Sequence, residues 1–327
     1  MAAPSSASPL LAAARLIAKA ERVVVLTGAG ISEESGVPTY RGVTTTSSSN
    51  GISNNGLWDG IKGTFGAIMF GTKLGWLLAP SRAWELYVDR LLRPVLLAQP
   101  NAAHQALVDL ERLRSSSFRD RRKEDGLPII TQNVDGLHHL AGSSNVLQVH
   151  GTIREHRCTW NHKSVEIEPQ TILKCKSNHA LPHCPQCWFG AVRPRVVFFG
   201  ESMPFQTWTQ SYQYVSSLGP NDVLLVVGTS GQVQPVASLP QLALEQGATV
   251  VEINASSEPC IERQLVYYMH DGDYNVTASS TRWVPQHQLI HVLGQKAGVI
   301  LPQLVQLVQQ ELSKLHKRAP EQSANVR

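Results

Sequence analysis

Polar side chains follow two short apolar runs of this 327-residue chain. The first run, Leu127 to Thr131, is followed within four residues by Gln132, Asn133 and Asp135. The second run, Val146 to Val149, is followed by His150. Side chains at the carboxyl ends of parallel strands line the ligand crevice of an open α/β sheet, and a histidine there is well placed to act as a general base. An ordinary polar turn is the alternative interpretation of the first segment.

A glycine turn follows a third apolar run near the start of the chain. Val23 to Leu26 predict a short buried strand, and Gly28 and Gly30 come directly after it. A strand that opens through glycines into a helix leaves N–H groups where a pyrophosphate can bind. Two serines are able to cap that helix, Ser32 and Ser35. The next glycine is Gly36, so the spacing departs from the full dinucleotide fingerprint and a purely structural turn stays open.

Four of the five cysteines fall within 30 residues: Cys158, Cys175, Cys184 and Cys187. The last two have the two-residue spacing of half a zinc site. Thiols concentrated in a polar segment favour a structural zinc bound by these four, although the fourth ligand could instead be His162, His179 or His183. A degenerate module without metal is the alternative. An odd number of cysteines and a large apolar content argue against a secreted disulfide framework and for a reducing compartment.

The spacing of apolar residues predicts the elements that would position these groups. Short apolar runs predict buried strands at 23–26, 127–131, 146–149, 222–227 and 249–253. Helical periodicity is found at 10–18, 80–97, 101–113 and 301–315. Because strands alternate with helices, we expect an α/β fold, a doubly wound parallel sheet of the Rossmann type with a smaller inserted lobe.

Composition limits the classes of function. An apolar content of 42% and a charged content of 17% fit a globular protein, and a net charge of +4 does not imply a nucleic-acid partner. No apolar run approaches the ~18 residues of a membrane span, so no membrane partner is expected. Residues 1–20 carry Arg15 and Lys19 without an acid, which leaves a mitochondrial presequence open. Their helical spacing favours a core helix instead, and therefore the cytoplasm or nucleus.

Two strings of residues resemble the signatures of the sirtuins, the NAD-dependent protein lysine deacylases. One is Gly-Ala-Gly-Ile-Ser at 28–32 with Ser-Gly-Val-Pro-Thr-Tyr-Arg at 35–41, and the other is Thr-Gln-Asn-Val-Asp-Gly-Leu-His at 131–138. Tyr40 replaces the usual Phe of the family, and Val134 its usual Ile. With further matches downstream, the resemblance covers most of the chain. It implies that the chain uses NAD to remove acyl groups from lysine side chains of proteins.

The resemblance implies a role for each of these strand-end residues. His150 would be the catalytic base, and Asn133 would hold the ribose or a water. Asp135 would hold the nicotinamide amide. The residues implied in NAD binding are Gly28, Ala29, Gly30, Ser32, Tyr40, Arg41, Gln132, Asn133, Asp135, Gly228, Thr229, Ser230, Asn254 and Ala297.

The implied reaction displaces nicotinamide from NAD by the acyl oxygen and leaves 2'-O-acyl-ADP-ribose and free lysine. The substrate backbone would pair with the strand that ends in Phe199, Gly200 and Glu201. Mono-ADP-ribosyl transfer and a non-catalytic NAD-binding sensor are alternatives. A Rossmann oxidoreductase is disfavoured, because no acid that would bind a ribose stands about 20 residues after the glycine turn.

The same resemblance predicts how the chain divides. Residues 1–36, 91–152 and 193–316 would form the NAD-binding domain, 37–90 and 153–192 a small helical and zinc-bearing lobe, and 317–327 a disordered tail. Sirtuins carry two cysteine pairs in this lobe. The first pair is incomplete here, because Asn161 stands where the partner of Cys158 would be.

Two residues of the small lobe predict which acyl group is removed. Tyr87 and Arg90 are three apart in the predicted helix, so they would share a face, where a phenol and a guanidinium can hold a carboxylate. This pair resembles that of the sirtuins that remove succinyl, malonyl and glutaryl groups. The alternatives are a structural ion pair of Arg90 with Glu85 or Asp89, and an ordinary deacetylase.

Overall fold

The computed structural model describes residues 8–38, 71–115, 126–168, 182–262 and 288–324. Within these ranges the strands are β1 Val23–Thr27, β2 Ile129–Thr131, β3 Val146–Gln148, β4 Gly151–Cys158, β5 Ser164–Val165, β6 Val192–Val196, β7 Val223–Val227, β8 Thr249–Asn254 and β9 Leu289–Leu293. The helices are α1 Pro9–Lys19, α2 Lys73–Leu78, α3 Pro80–Tyr87, α4 Arg93–Leu97, α5 Ala102–Ser115, α6 Leu137–Ala141, α7 Phe205–Ser216, α8 Leu239–Glu245 and α9 Ala297–Ala324.

Six parallel strands form the main sheet in the order β3-β2-β1-β7-β8-β9. The chain order reverses between β1 and β7, which are hydrogen-bonded neighbours. This arrangement confirms the predicted doubly wound sheet. In such sheets the ligand crevice lies at the carboxyl ends of the two strands where the order reverses.

Both faces of the main sheet are covered by helices, which explains why its central strands are apolar throughout. In β1, Val23 and Val25 pack on one face, and Val24 and Leu26 pack on the other. Helices α1, α5 and α9 cover the first face, and α7 and α8 cover the second. β9 was not predicted. It is an edge strand, half-buried along its length, so its apolar signal is weak.

The small lobe combines helices α2 to α4 with an antiparallel sheet of order β5-β4-β6. Its core contains Trp76, Trp84 and Val95 of the helices, packed with Ile153 and Val196 of the sheet. The sequence analysis described this lobe as helical; it expected the strand that contains β6 but did not predict β4, β5 or their pairing into a sheet. β4 begins before residue 153 and β6 ends after residue 192, so the sheet crosses both predicted boundaries.

The helix predicted at 80–97 is interrupted by a π-helical turn, Val88–Leu92, between α3 and α4. The Arg93 N–H donates to the carbonyl of Val88, five residues earlier. Pro94 explains the wider turn, because proline has no N–H and its ring would clash with the carbonyl four residues before it. The helical period therefore changes within the segment that contains Arg90.

The C-terminal helix is longer than predicted. It was expected at 301–315 with a disordered tail at 317–327, but α9 runs from Ala297 to Ala324, so residues 317–324 are helical. In the described ranges no helix is long and apolar enough to cross a membrane.

Candidate active site

Two glycine loops meet where the strand order reverses. The Gly30 N–H donates to the carbonyl of Gly228 at 2.8 Å, which joins the loop after β1 to the loop after β7. A Cβ on Gly28 would lie 2.8 Å from the carbonyl oxygen of Gly228, and one on Gly30 would lie 2.9 Å from its Cα. Glycine is therefore required at 28 and 30 because the two loops approach each other. The sequence did not reveal that the loop after β7 is the partner of this glycine turn.

The two serines after this turn do not cap a helix. The backbone there forms short 3₁₀ turns, and neither has a side-chain cap. Ser32 is fully buried, and its hydroxyl accepts a hydrogen bond from the Asn133 amide at 3.0 Å. The Ser35 hydroxyl accepts from the Asn101 amide at 3.0 Å. The predicted capping is wrong, and both serines instead tie the glycine loop to neighbouring elements.

Asp135 is a buried carboxylate at this crevice. It is 3% exposed, and its Oδ1 accepts a hydrogen bond from the Leu137 N–H at 2.8 Å. Burial raises the pKa of Asp135, while hydrogen bonds from Leu137 and Ser32 and the charge of Arg154 oppose this increase. Leu137 and Ser32 do not use all the acceptor sites of the Asp135 carboxylate, so it can also accept a hydrogen bond from an amide N–H of a ligand.

His150 is held in one tautomer by the backbone. Its Nδ1 lies 3.1 Å from the carbonyl oxygen of Gln132, which can only accept, so Nδ1 carries the proton. Nε2 then has a lone pair and no hydrogen-bond partner among the residues that the structure describes. Burial lowers the pKa of His150 below that of an ordinary histidine, although the bond to Gln132 opposes this. The side chain is thus neutral at pH 7 and can accept a proton at Nε2.

Hydrogen bonds connect the remaining strand ends. The Gln132 amide donates to the Thr229 hydroxyl at 2.9 Å, and the Asn254 amide donates to the Thr229 carbonyl at 2.8 Å. Ser230 is exposed, and Ala297 is buried at the start of α9. The structure thus brings together most of the predicted NAD-binding residues: Gly28, Ala29, Gly30, Ser32, Gln132, Asn133, Asp135, Gly228, Thr229, Ser230 and Asn254. Tyr40 and Arg41 lie outside the described residues.

Asn101 is a residue of this site that the sequence analysis missed. Its amide donates to the carbonyl of Ile31 at 2.8 Å, and its Oδ1 accepts from the Ala103 N–H at 2.9 Å, so it caps α5 and holds the glycine loop. His104 of α5 is fully buried beside Ser32, and burial lowers its pKa to about 4. The position of Asn101 directly before an amphipathic helix was the signal that could have identified it.

A family model described as the Sir2 family matches residues 28–235, which include both glycine loops and the segment from Gln132 to His150. The chain belongs to the Sir2 family. The NAD-dependent protein deacylase of Thermococcus kodakarensis is 37% identical over 243 residues, which are 74% of this chain and 83% of that relative. These matches confirm the predicted resemblance to the sirtuins.

Solved structures of Sir2 homologues share the fold. A Sir2 homologue in complex with NAD matches with a TM-score of 0.66 and 31% identity, over 91% of this chain and 93% of that one. A triple mutant of a Sir2 homologue in complex with 2'-O-acetyl ADP-ribose matches with a TM-score of 0.68 and 32% identity, over 94% and 98% of the two chains.

In this Sir2 chain, the segment predicted to bind the substrate is partly occupied by other contacts. The Phe199 N–H donates to the carbonyl of Gly71, and its own carbonyl accepts from the Lys73 N–H. The Glu201 carboxylate accepts from both terminal nitrogens of Arg193 at 2.6 and 2.9 Å. Glu201 therefore has a structural role. Gly200 is exposed, and its backbone has no backbone partner in the described part of the chain, so it is available for strand pairing.

Three of the four predicted zinc ligands come together. The sulfur atoms of Cys158, Cys184 and Cys187 all lie within 4.8 Å of one another, and backbone N–H groups of Trp160 and Gly190 donate to two of them. Three thiols supply three corners of a tetrahedral zinc site. Neither His162 nor His183 joins this group. The remaining candidates, Cys175 and His179, lie outside the described residues.

Tyr87 is the last residue of α3, and Arg90 lies in the π-helical turn that follows it. Tyr87 is 8% exposed, and its hydroxyl donates to the carbonyl of Ile153 at 2.9 Å. Arg90 is exposed and makes no ion pair with the residues that the structure describes. The predicted common face of the two residues stays a prediction, and Arg90 makes no ion pair with Glu85.

Proposed function

We propose that this chain is an NAD-dependent protein lysine deacylase. The observation that carries the proposal is the position of His150, with a neutral, unpartnered Nε2, at the strand ends where Asn133 and Asp135 are buried. A Rossmann dehydrogenase is disfavoured, because no acid that would bind a ribose stands about 20 residues after the glycine turn. The name of the relative from Thermococcus kodakarensis supports the same activity.

The crevice fits NAD in its donor and acceptor chemistry. A Cβ on Gly28 or Gly30 would clash with the loop after β7, so glycine there keeps the two loops together at the crevice. The N–H groups of the first loop that do not already donate within the described chain would hold the diphosphate, and Asp135 would accept from the nicotinamide amide. Thr229, Ser230 and Asn254 would contact the adenosine half. When bound, NAD would supply the ribose that accepts the acyl group and the nicotinamide that leaves.

His150 would act as the base through Nε2. The carbonyl of Gln132 fixes the tautomer, so the ring can remove a proton from a ribose hydroxyl without changing its orientation. Asn133 is held through its amide by Ser32, which leaves its carbonyl oxygen to orient the ribose or a water. Asn133 is buried and His150 is half-buried, which limits the access of competing water to the acyl transfer.

The experiment that tests this function incubates the protein with NAD and a lysine-acylated peptide, and measures nicotinamide and NADH together. A deacylase releases nicotinamide and free lysine and forms no NADH. Mono-ADP-ribosyl transfer would also release nicotinamide but would leave the lysine acylated and label a protein. Formation of NADH would indicate an oxidoreductase, and no reaction would indicate an NAD-binding sensor.

We propose further that the acyl group carries a terminal carboxylate, as succinyl, malonyl and glutaryl groups do. The resemblance of Tyr87-x-x-Arg90 to that subclass of sirtuins supports this proposal. The exposed guanidinium of Arg90 lacks an ion-pair partner among the described residues, so it is able to bind an anion. The Tyr87 hydroxyl already donates its proton to the carbonyl of Ile153. It therefore has no second proton to donate to a carboxylate. Arg90 therefore carries most of the proposed selectivity.

The substitution Arg90→Met is expected to lower kcat/KM for a succinyl-lysine peptide about tenfold or more, because a charged hydrogen bond is lost. The value for the matching acetyl-lysine peptide should change little. Arg82→Met, on the exposed part of α3, is the matched control and should alter neither substrate. Equal losses on both substrates, or a wild type that prefers acetyl-lysine, would mean that Arg90 does not select the acyl group.

A further inference from the structure

A basic cleft lies beside β6 and the segment Phe199 to Glu201. Its volume is about 580 Å³, and four of its lining residues are cations: Lys73, Arg157, Arg193 and Arg195. Among the described residues, Glu201 is the only acid that lines it. We call these four cations and the space between them the cationic cleft.

The single carboxylate of the cleft is already occupied. Both oxygens of Glu201 accept from Arg193, and one accepts also from the Phe198 N–H at 3.1 Å. Arg193 is 7% exposed, and its guanidinium lies 4.4 Å from the centre of the Phe198 ring. Arg193 and Glu201 thus form a closed structural pair, and they neutralise each other.

Arg157 is the cation left without a hydrogen-bonded anion. Its nearest Glu201 oxygen lies 3.7 Å away, which is beyond hydrogen-bond distance. Its Nε is buried and has no hydrogen-bond partner among the described residues. The Arg157 side chain as a whole is 33% exposed and lines the cleft, so its terminal nitrogens can bind an anion that enters the cleft.

Two more cations stand at the exposed rim of the cleft. Lys73 is exposed and makes no ion pair with the described residues. Arg195 is 56% exposed and pairs with Glu155, which is 54% exposed, so this pair is weak and exchangeable. The cleft therefore offers one inner and two outer cations to an acidic ligand.

The cleft lies next to the proposed reaction site. Val197, which lines the cleft, donates its N–H to the carbonyl of His150 at 2.9 Å. Gly200, whose backbone is available to a substrate strand, lines the cleft as well. A peptide paired at Gly200 with its acyl-lysine near His150 would carry its neighbouring side chains past Arg157 and Lys73.

We propose that the cationic cleft binds aspartate or glutamate side chains that flank the acyl-lysine, so that the enzyme prefers acidic stretches of its protein substrates. This inference rests on the proposed deacylase function. It assigns the cleft to the sequence around the modified lysine and not to the acyl group itself.

The test compares kcat/KM for acyl-lysine peptides that differ only in their flanks, acidic (Asp and Glu) or neutral (Asn and Gln). We expect the wild type to favour acidic flanks about five- to tenfold at low salt, and the preference to weaken as salt rises. We call kcat/KM for the acidic peptide divided by kcat/KM for the neutral peptide the flank ratio. In the double variant Lys73→Gln/Arg195→Gln and in Arg157→Gln, the flank ratio should fall to within about twofold of one.

The matched control removes two exposed cations that do not line the cleft, Arg112→Gln/Lys314→Gln, which are 71% and 60% exposed in the wild type. It should keep the full preference. A wild-type kcat/KM that is nearly equal for acidic and neutral flanks overturns the proposal. The same loss of preference in the control variant overturns it as well. A ratio that depends on succinyl against acetyl and not on the flanks overturns it too, because the cleft would then bind the acyl carboxylate.

A failure of the proposed deacylase function can be distinguished from a failure of the proposed peptide binding in the cationic cleft. If no peptide releases nicotinamide, fluorescence anisotropy of the same labelled peptides measures binding to the cleft directly. Tighter binding of the acidic peptide to wild type than to Lys73→Gln/Arg195→Gln would support the cleft without the reaction. Equal binding would contradict it.

Discussion

The substitution His150→Ala is expected to lower turnover at least ~100-fold, because it removes the general base. Nε2 is the only atom of this residue with an unused lone pair, since Nδ1 is bonded to the carbonyl of Gln132. The protein should fold and bind NAD, because the side chain makes no contact that closes the glycine loops. The measurement is initial-rate kinetics with an acyl-lysine peptide, with NAD binding followed by calorimetry.

His139→Ala is the matched control, because this histidine is exposed on α6. It should leave the rate unchanged.

The wild-type pH profile gives a second check. Since burial lowers the pKa of His150, its neutral form persists below pH ~6.5, and the acid limb of kcat/KM should lie below that value. Near-normal turnover of His150→Ala would mean that the base lies elsewhere.

The substitution Gly228→Ala is expected to destabilise the fold by about 2–5 kcal/mol, through left-handed strain and overpacking together. Gly228 has a φ of +61°, and its Cβ would lie 2.6 Å from the Ile31 nitrogen. Because that nitrogen belongs to the glycine loop after β1, the clash would push the two loops apart. We therefore expect weaker NAD binding together with the loss of stability, measured by denaturant unfolding and calorimetry.

Gly36→Ala separates strain from crowding. Gly36 has a φ of +81° but no heavy atom within 4 Å of its would-be Cβ, so only the strain of about 1–2 kcal/mol applies. The affinity of the Gly36→Ala variant for NAD should stay close to that of the wild type. Equal destabilisation by the two alanines would contradict a close approach between the two loops.

The sequence predicted the main sheet and its polar strand ends because both depend on local patterns. β1 and β7 are continuous apolar runs, and Gln132 and His150 follow their strands directly. The partners of these residues depend on distant parts of the chain. Ser32 bonds to Asn133, about 100 residues away, and no local pattern distinguishes that contact from a helix cap.

The failures in the small lobe have a similar physical cause. The pairing of β4 with β6 joins segments about 40 residues apart, so no local pattern reveals that the two strands are neighbours. Tyr87 and Arg90 were expected on one face because the prediction assumed a regular α-helical period. Pro94 was visible in the sequence, and its missing N–H is the feature that could have predicted the π-helical turn.

The most direct test of the proposed function is the stoichiometry of one reaction with NAD and a succinyl-lysine peptide. Mass spectrometry of the peptide and chromatography of nicotinamide follow both products in the same sample. The account predicts one nicotinamide released for each lysine freed, no NADH, and both products reduced together in His150→Ala. Nicotinamide release without loss of the acyl group, or loss of the acyl group without NAD, would contradict it.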